Sequence, residues 1–362
     1  MNDVLILGGG LAGGAAAVLL ARAGFPVHLI EREAQARDKI CGEFLSIEAQ
    51  AHLRTLGIDL ARLGAVPIDR VRLVSAGRSI ETALPFVAMG LSRRILDEAL
   101  LDMAEESGAH IERGVRIAAL EGAQVETSAG PRSARHLLLA TGKHDLRGAK
   151  GDDPGSADAH VGFKMHWRPG PMARQELGSA IELTLFEGGY AGLQMVGADV
   201  MNLCLVLRRG RLSQIGGTWD DVLAMLLRQP HLAHRLGDAT PLFDRPLTIA
   251  NLPYGRIHRG DAGEPPTLYR LGDQAAMTAS LTGDGMAIAL RSAFIVADCL
   301  NAGQDAAAYH ARLVENVGGQ VRRAMWLQKI GEQRLVRALA LSLLNLWPGA
   351  LRHMAQATRL PY

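Results

Sequence analysis

The order of apolar runs and glycines at the start of the chain predicts a strand–helix–strand unit. Residues 4–7 form a short continuous apolar run, the pattern of a strand buried on both faces. Three glycines follow, and alanine and leucine then recur at helical spacing as far as Arg22, where Gly24 suits a helix stop. Residues 26–30 form a second strand, which Glu31 ends. This pattern is typical of a parallel βαβ unit.

Two later segments repeat the step from a strand into a glycine turn. Residues 137–139 are an apolar run that leads into Ala-Thr-Gly, ending at Gly142. Residues 268–271 form a short strand that leads into Gly-Asp. The sequence TGDGM, starting at Thr282, opens an amphipathic helix that continues to Cys299. The three segments together predict one parallel sheet assembled from distant parts of the chain.

The intervening segments predict a helix and a second sheet. The helix from Arg94 carries an apolar stripe at a spacing of about 3.6 residues. Residues 69–84 predict a hairpin that turns at Ala76-Gly77. Residues 155–250 contain four β-rich runs and a helix over 219–228. After Ala302 the pattern is helical, so the predicted class is α/β with an additional β-rich region and C-terminal helices.

Composition and charge narrow the range of functions. The chain has 362 residues, a formal net charge of only +2 and 48% hydrophobic residues, which does not favour a nucleic-acid surface. Its three cysteines are widely spaced and odd in number, so neither a disulfide framework nor a zinc site is expected. His231 and His234 have no convincing third ligand nearby, and we expect no metal. The apolar N-terminus lacks a basic segment, so the expected compartment is the cytoplasm.

The first glycine turn has the G-x-G-x-x-G spacing of a dinucleotide-binding site. Gly8 permits the tight turn, Gly10 lets the backbone approach a pyrophosphate, and Gly13 lets the helix pack closely on the strand. Ala12, inside the motif, belongs to the same predicted cofactor site. The phosphates would meet the free amides and the positive end of the helix, and Glu31 would accept hydrogen bonds from a ribose. This motif alone does not separate NAD from FAD.

The GD and TGDGM segments resemble those of FAD-dependent oxidoreductases with the p-hydroxybenzoate hydroxylase fold. The resemblance implies that Asp273 binds the ribityl chain or ribose of FAD. It also implies that Gly283, Gly285 and Met286 place backbone amides near the flavin ring, where amides at a helix N-terminus stabilise the charge of a reduced flavin. The sequence departs from the family at Ser280, where a proline usually stands.

Other positions extend the resemblance along the first half of the chain. Arg93 resembles the family arginine that faces the flavin nucleotide, and Val115, in a short strand after the helix, resembles the residue whose backbone lies against adenine. The resemblance also implies that the strand ending at Thr141-Gly142 packs beside FAD. Hydroxylases of the family typically have Asp where Thr141 stands. Arg147 keeps the position of a downstream family arginine.

The stretch KICGEFLS, from Lys39, resembles the geranylgeranyl-reductase branch of the same superfamily. In that branch a cysteine followed by glycine lies beside the isoalloxazine, which implies flavin contacts for Cys41 and Gly42. The Cys41 thiol is the candidate catalytic group, as a proton donor or as a group that tunes the flavin; the alternative is a small packing residue. Arg32 belongs to the predicted cofactor site, and Arg37 or Lys39 could neutralise the pyrophosphate.

The resemblance implies an FAD enzyme but leaves two reactions open. In one, NADPH or NADH reduces FAD, and a flavin C4a-hydroperoxide formed with O₂ hydroxylates or epoxidises a hydrophobic aromatic, polyketide-like or lipid-like substrate. In the other, reduced FAD delivers hydride to a carbon–carbon double bond of an isoprenoid or similar lipid. The Cys-Gly-Glu sequence favours the reductase, whereas Arg147 and the compact chain favour the monooxygenase, our preferred prediction. A non-catalytic FAD protein is a third alternative.

The domain prediction interleaves two units. The FAD-binding domain, of the Rossmann type, comprises residues 1–68, 90–150 and 255–302. The antiparallel β-sheet substrate domain comprises residues 69–89 and 151–254, and a C-terminal helical region comprises 303–362. From the sheet domain we nominate three residues for a small hydrophobic substrate: Phe163, Tyr190 and Gln194. The basic, amphipathic C-terminal helices predict either packing on the two domains or contact with a membrane surface.

Overall fold

The computed structural model describes residues 2–143, 159–261 and 263–333, and after these residues 337, 338, 342, 344, 347, 349–357 and 359. Arg147 lies outside the described residues. The chain forms two sheets with helices between and around them, which confirms the α/β class.

The first sheet contains the strands of the predicted dinucleotide-binding unit. Its strands are β1 (Asn2–Leu7), β2 (Val27–Glu31), β6 (His110–Arg113), β7 (Ile117–Glu121), β8 (Gln124–Thr127), β9 (Arg132–Leu139) and β16 (Leu268–Arg270). Their order is β6-β2-β1-β9-β8-β7, and β16 pairs with β9. The pairs among β6, β2, β1, β9 and β16 are parallel, whereas β7, β8 and β9 pair antiparallel. The carboxyl ends of β1, β2, β9 and β16 therefore meet at one edge.

The second sheet contains nine strands. They are β3 (Phe44–Leu45), β4 (Val66–Ser75), β5 (Arg78–Gly90), β10 (His160–Arg168), β11 (Ala180–Phe186), β12 (Gly189–Gly197), β13 (Val200–Arg208), β14 (Thr240–Pro241) and β15 (Leu247–Leu252). Their order is β14-β10-β13-β12-β11-β4-β5-β3, and β15 pairs with β10. All pairs are antiparallel except β4 with β11, which is parallel, so the predicted antiparallel sheet is corrected to a mixed one.

Helices pack on one face of the first sheet and on both faces of the second. They are α1 (Leu11–Arg22), α2 (Ile47–Leu56), α3 (Arg93–Glu106), α4 (Pro171–Leu177), α5 (Arg209–Gln214), α6 (Trp219–Leu227), α7 (Pro230–Leu236), α8 (Gly285–Asn301), α9 (Ala306–Glu332) and α10 (Gly349–Ala357). The apolar stripe predicted for α3 is buried at Leu96 and Leu100 against α1, whose small residues allow the two helices to approach closely.

Strand β1 is buried on both faces, as its continuous apolar run predicts. Val4 and Ile6 pack into the core formed with α1, α3 and α8, while Leu5 and Leu7 pack into a second core with Leu137 and Leu139. Successive side chains of a strand point to opposite faces, so a strand between two cores needs an apolar residue at every position.

The last helices close one side of the molecule. Glu332, at the end of α9, contacts His160 at 2.7 Å and Arg208 at 2.7 Å, which fixes α9 to the second sheet. Trp326 on α9 and Trp347 each remain 64% exposed. In the part of the chain that the structure describes, no helix is long and apolar enough to cross a membrane. Membrane contact stays a prediction.

Candidate functional site

A cavity of about 930 Å³ lies between the two sheets. Its first half is formed by the carboxyl ends of β1, β2, β9 and β16 and by the start of α8. In open α/β sheets this edge is where ligands bind. Its second half is formed by one face of the second sheet and by the C-terminal helices. We call these two halves the cofactor cleft and the apolar chamber.

The predicted site residues that line this cavity come from both halves. They are Gly8, Gly10, Ala12, Glu31, Arg32, Cys41, Gly42, Arg93, Thr141, Gly142, Tyr190, Gln194, Asp273, Gly283, Gly285 and Met286. The tertiary structure thus brings together residues separated by more than half of the chain. Their individual contacts with a cofactor or substrate stay predictions.

The glycine turn requires glycine for steric reasons that the structure makes explicit. Gly8 has φ of 110°, and a Cβ there would lie 2.6 Å from the carbonyl oxygen of Ala140. A Cβ on Gly13 would lie 1.9 Å from the carbonyl oxygen of Gly8, so α1 packs directly on the end of β1. Gly13 therefore acts through packing, as predicted, and does not line the cavity.

Glu31, predicted to bind a ribose, also stabilises the glycine turn. Its carboxylate accepts a hydrogen bond from the backbone N–H of Gly9 at 2.6 Å and another from the N–H of Glu33 at 3.0 Å. Each carboxylate oxygen has two acceptor positions, so the group can still accept from a ribose. The side chain is 8% exposed at the wall of the cavity.

Two cations face the glycine turn. A Cβ placed on Gly10 would lie 3.5 Å from Arg93 Nη2 and 3.7 Å from Lys39 Nζ. Both cations pair with Asp97, at 2.8 Å from Lys39 Nζ and 2.8 Å from Arg93 Nε. Burial works to lower the pKa of Arg93, but the Asp97 carboxylate raises it overall, so Arg93 stays charged. Two cations beside a glycine cradle with free backbone amides fit the pyrophosphate of FAD.

Two predicted cofactor contacts are corrected by their positions. The Arg37 side chain is 72% exposed and pairs with Glu33. Of the two residues predicted to neutralise the pyrophosphate, Lys39 is the one that lines the cavity. Val115 lies after β6 rather than in a strand, packs in the core with Leu5 and Leu7, and donates its N–H to the carbonyl oxygen of Glu31. The two residues that follow it line the cavity instead.

Cys41 sits in a turn that the second sheet fixes in place. The backbone N–H of Glu43 donates to Cys41 Sγ at 3.3 Å. The Asn202 side chain on β13 donates to the carbonyl oxygens of Cys41 and Gly42, at 3.0 and 2.9 Å. The Arg93 guanidinium interacts with the thiol from the cofactor cleft. The thiol therefore lies at the boundary between the two halves of the cavity.

Glu43, the third residue of Cys-Gly-Glu, was not recognised from the sequence as a site residue. It is fully buried. Its carboxylate contacts Lys164 Nζ at 2.5 Å and His166 Nε2 at 2.7 Å. It also accepts a hydrogen bond from the backbone N–H of Arg93 at 2.8 Å. Burial works to raise the pKa of Glu43, but Lys164 and His166 lower it overall, so the group is a carboxylate. Its φ of 60° is uncommon for a residue with a side chain, and these contacts hold it there.

The sequence did contain an indication of this buried ion cluster. In the β10 run GFKMHW, Lys164 and His166 alternate with apolar residues, so both point to the same face of the sheet. Gln194 lies on that face too and donates to the Glu43 carbonyl oxygen at 3.0 Å. A lysine that is fully buried requires a carboxylate partner, but the partner lies 121 residues away. Sequence spacing alone does not identify it.

The same alternation corrects the prediction for Phe163. This residue points to the opposite face from Lys164 and packs with Leu205, Leu226 and Trp219 under α6. It therefore belongs to the core behind the sheet and does not line the cavity. The choice between the two faces depends on which side the cofactor cleft occupies, which periodicity does not show.

The apolar chamber is lined mainly by aliphatic side chains. Those of the second sheet are Val71, Leu73, Ile181, Leu183 and Leu185. Those of the C-terminal helical region are Leu327, Ile330, Leu344, Leu351 and Met354. Because helices from the end of the chain form the outer wall, the chamber is covered on the side away from the cofactor cleft. A chamber of this composition suits a long, largely apolar ligand.

Comparison with known proteins supports the cofactor assignment. Residues 1–136 match the family model described as "FAD binding domain". The chain is 25% identical over 341 residues to a protein named Menaquinone reductase from Mycobacterium tuberculosis (strain CDC 1551 / Oshkosh), which covers 87% of this chain and 80% of the relative. It is 33% identical over 123 residues to the flavin-dependent halogenase armH1 of Armillaria mellea, which covers 32% of this chain and 24% of that protein.

Among solved structures, the flavin-dependent brominase Bmp2 has the same fold. Its superposition gives a TM-score of 0.79 with 18% sequence identity and covers 99% of this chain and 93% of the brominase. The match extends through both sheets and the C-terminal helices. At this identity the likeness concerns the fold alone.

Proposed function

We propose that this chain is an FAD-dependent oxidoreductase that reduces a carbon–carbon double bond of a long, largely apolar substrate. The match of residues 1–136 to the FAD binding domain model and the fold shared with the flavin-dependent brominase Bmp2 support the cofactor. The observation that carries the proposed reaction is the aliphatic chamber, which forms one cavity with the cofactor cleft and has Cys41 in its lining.

The cofactor cleft supplies the groups that would hold FAD. The glycine turn and the cations Arg93 and Lys39 would bind the pyrophosphate, and Glu31 would bind a ribose. Asp273 and the amides at the start of α8 would bind the rest of the flavin nucleotide. When bound, FAD supplies the pair of electrons that reduces the substrate. NADPH or NADH is the donor that we propose for reducing the flavin.

The chain itself must orient the double bond, exclude water and provide a proton. The aliphatic walls of the chamber bind the apolar chain of the substrate by removing it from water. One carbon of the double bond receives hydride and its neighbour receives a proton. We propose that the Cys41 thiol moves this proton, because Asn202 and Glu43 hold its turn where the chamber meets the cleft.

Two observations support reduction over the monooxygenase favoured by sequence alone. The Menaquinone reductase relative matches most of the chain, whereas the halogenase armH1 matches only about a third of it. The Cys41 turn, on which the resemblance to geranylgeranyl reductases rests, also receives hydrogen bonds from the second sheet. Arg147, which favoured oxygenation, lies outside the described residues.

Monooxygenation is the second candidate function, because C-terminal helices form one wall of the chamber. The C-terminal helices wall the chamber with apolar side chains and limit the entry of water. Exclusion of water protects an oxygenating intermediate from decay, so the same feature suits that reaction. The two reactions differ in their requirement for O₂.

An anaerobic experiment separates the two reactions. The purified protein is loaded with FAD, reduced with NADPH or dithionite without O₂, and mixed with geranylgeraniol, in which the carbon–carbon double bonds are the reducible groups. Reoxidation of the flavin, together with a product that has gained two hydrogen atoms, is the expected result. Formation of product only after O₂ is admitted, with one oxygen atom from labelled O₂ in it, would contradict the reductase and support the monooxygenase.

The role of Cys41 is tested by substitution. In Cys41→Ser and Cys41→Ala, we expect product formation to slow by about 10²-fold or more, the usual contribution of a general acid, while FAD content stays near that of the unsubstituted protein. Cys299→Ala is the matched control, because Cys299 is buried in α8 away from the cavity. Equal rates in the Cys41 variants and the control would remove Cys41 from catalysis and assign it to packing.

A further inference from the structure

Three hydroxyl groups meet inside the otherwise aliphatic chamber. The Ser280 hydroxyl is hydrogen-bonded to the Tyr190 hydroxyl and, at 2.9 Å, to the Tyr254 hydroxyl. All three residues line the cavity. Tyr190 comes from β12, Tyr254 from the segment after β15, and Ser280 from the short 3₁₀ turn before Gly283. We call these residues the hydroxyl cluster.

Ser280 connects the cluster to the cofactor cleft. In the family that the sequence resembles, a proline usually stands at this position. The TGDGM turn, which the resemblance places near the flavin ring, begins two residues after Ser280. A proline would offer no side-chain hydroxyl to either tyrosine. The presence of Ser280 therefore creates a polar position beside the region where chemistry is proposed.

The cluster has unused hydrogen-bonding capacity. Three hydroxyl groups supply three hydrogens, and the two bonds among them use two. Within the described residues, these three hydroxyls make no further hydrogen bond, and all three residues line the cavity, so one hydrogen and several acceptor positions are available to a ligand. A polar group left in an aliphatic chamber is costly unless a ligand or water completes its hydrogen bonds.

The surroundings favour a neutral partner for these hydroxyls. Burial raises the pKa of Tyr190 well above its ordinary value and raises that of Tyr254, so both phenols keep their protons. The carboxylates of Asp273 and Glu332 also act on Tyr254 and raise its pKa. Protonated phenols and a serine hydroxyl form a neutral donor and acceptor set, which matches a neutral hydroxyl or carbonyl oxygen.

We infer that the hydroxyl cluster of Tyr190, Ser280 and Tyr254 binds a neutral hydroxyl or carbonyl oxygen of the substrate. Combined with the aliphatic walls, it selects an alkyl- or prenyl-substituted phenol, quinone or alcohol over a hydrocarbon of the same length. The inference deepens the proposed function, because it assumes that the substrate enters this chamber. It names the specificity of the site but not the reaction.

The test compares two ligands that differ by one hydroxyl group. Para-heptylphenol and heptylbenzene are titrated into the oxidised, FAD-loaded protein, and binding is followed by the absorbance of the bound flavin and by calorimetry. We expect para-heptylphenol to bind about 10-fold more tightly, the effect of one hydrogen bond made to a group otherwise left unpaired. Absence of a preference in the unsubstituted protein would overturn the inference.

Three variants locate the preference. In Ser280→Ala, Ser280→Pro and Tyr254→Phe, we expect the preference for para-heptylphenol to fall to about threefold or less, with heptylbenzene binding unchanged. Ser280 opens a 3₁₀ turn, a position that tolerates proline, so Ser280→Pro restores the family residue without breaking the turn. A variant that no longer retains FAD is set aside, and the other two decide.

Tyr269→Phe is the matched control. It removes a buried tyrosine hydroxyl that bonds the Gln304 carbonyl oxygen outside the cavity, so the preference should match that of the unsubstituted protein. A full preference that persists in all folded cluster variants would overturn the inference. Because binding is measured on the oxidised protein, a failed reduction assay with this pattern intact would contradict the proposed reaction alone.

Discussion

The cofactor cleft and the apolar chamber share one cavity but are built in different ways. The phosphate end of the cleft depends on backbone positions that lie close together in sequence, from the glycine turn to Glu31. The chamber depends on alternate side chains of several strands and on helices from the end of the chain. A local motif therefore specifies the phosphate end of the cleft, whereas only the assembly of distant elements specifies the chamber.

The two ion clusters beside Cys41 show the same difference. On the cleft side, Arg93 pairs with Asp97 within one helix at i,i+4 spacing. On the chamber side, Glu43 pairs with Lys164 across 121 residues of sequence. Both clusters are buried, but the second fixes the Cys41 turn to β10 of the second sheet. Disturbing the first should affect the cofactor, and disturbing the second should affect the stability of the fold.

The largest expected effect is the loss of the cofactor from Gly13→Val. The Cβ alone would lie 1.9 Å from the Gly8 carbonyl oxygen, so the turn and α1 must separate. We expect no FAD to remain after gel filtration, measured as the flavin-to-protein ratio. Gly197→Ala is the control, because a Cβ there meets its nearest neighbour only at 4.0 Å. Normal flavin content in Gly13→Val would show that the turn is not the cofactor site.

Glu43→Ala tests the cluster that fixes the Cys41 turn to the second sheet. The change leaves the buried Lys164 ammonium with only the Asp38 carboxylate, at 3.7 Å, and we expect the free energy of unfolding to fall by about 3–5 kcal/mol. Urea unfolding measures the loss, with the exposed Glu106→Ala as control. Glu43→Gln combined with Lys164→Met removes both charges and should recover part of it. Equal losses in the single and double variants would contradict an ionic role.

Phe163→Leu tests the assignment of the two faces of the second sheet. Phe163 packs behind the sheet with Trp219, so its replacement should lower the free energy of unfolding by about 1–2 kcal/mol. The dissociation constant of para-heptylphenol should not change, because the side chain does not line the chamber. A weaker affinity for para-heptylphenol in this variant would return Phe163 to the substrate site.

The smallest expected effect is a change in pH dependence on the cleft side. Burial, assisted by Arg291, lowers the pKa of His52 on α2 from 6.5 to about 4. The unfolded chain therefore takes up a proton near pH 6.5 that the folded chain does not take up until about pH 4, and stability falls as pH falls through this interval. His52→Leu should make this fall shallower, as measured by urea unfolding at several pH values.

The exposed His353 provides the comparison for that measurement. His353→Leu should leave the slope of stability against pH like that of the unsubstituted protein, because its side chain is exposed on α10. If His52→Leu and His353→Leu give the same slope, burial of His52 does not contribute to the pH dependence.

The sequence by itself determined the cofactor side of this protein. The continuous apolar run of β1, the glycine spacing after it and Glu31 at the end of β2 specify backbone geometry over a few residues. Steric requirements of this kind are local: Gly8 has a φ of 110°, which disfavours a side chain, and a Cβ at Gly13 would meet the carbonyl oxygen of Gly8 five residues earlier. The fold class could therefore be predicted before any contact was known.

The tertiary structure alone decided which side chains meet in the chamber. Alternation along β10 predicts that Lys164 and Phe163 face opposite sides, but not which side holds the cavity. Glu43 and Lys164 meet only when the second sheet assembles, and the hydroxyls of Tyr190 and Ser280 meet only when that sheet packs against the first. Their interaction depends on three-dimensional distances, which the spacing of residues along the sequence does not give.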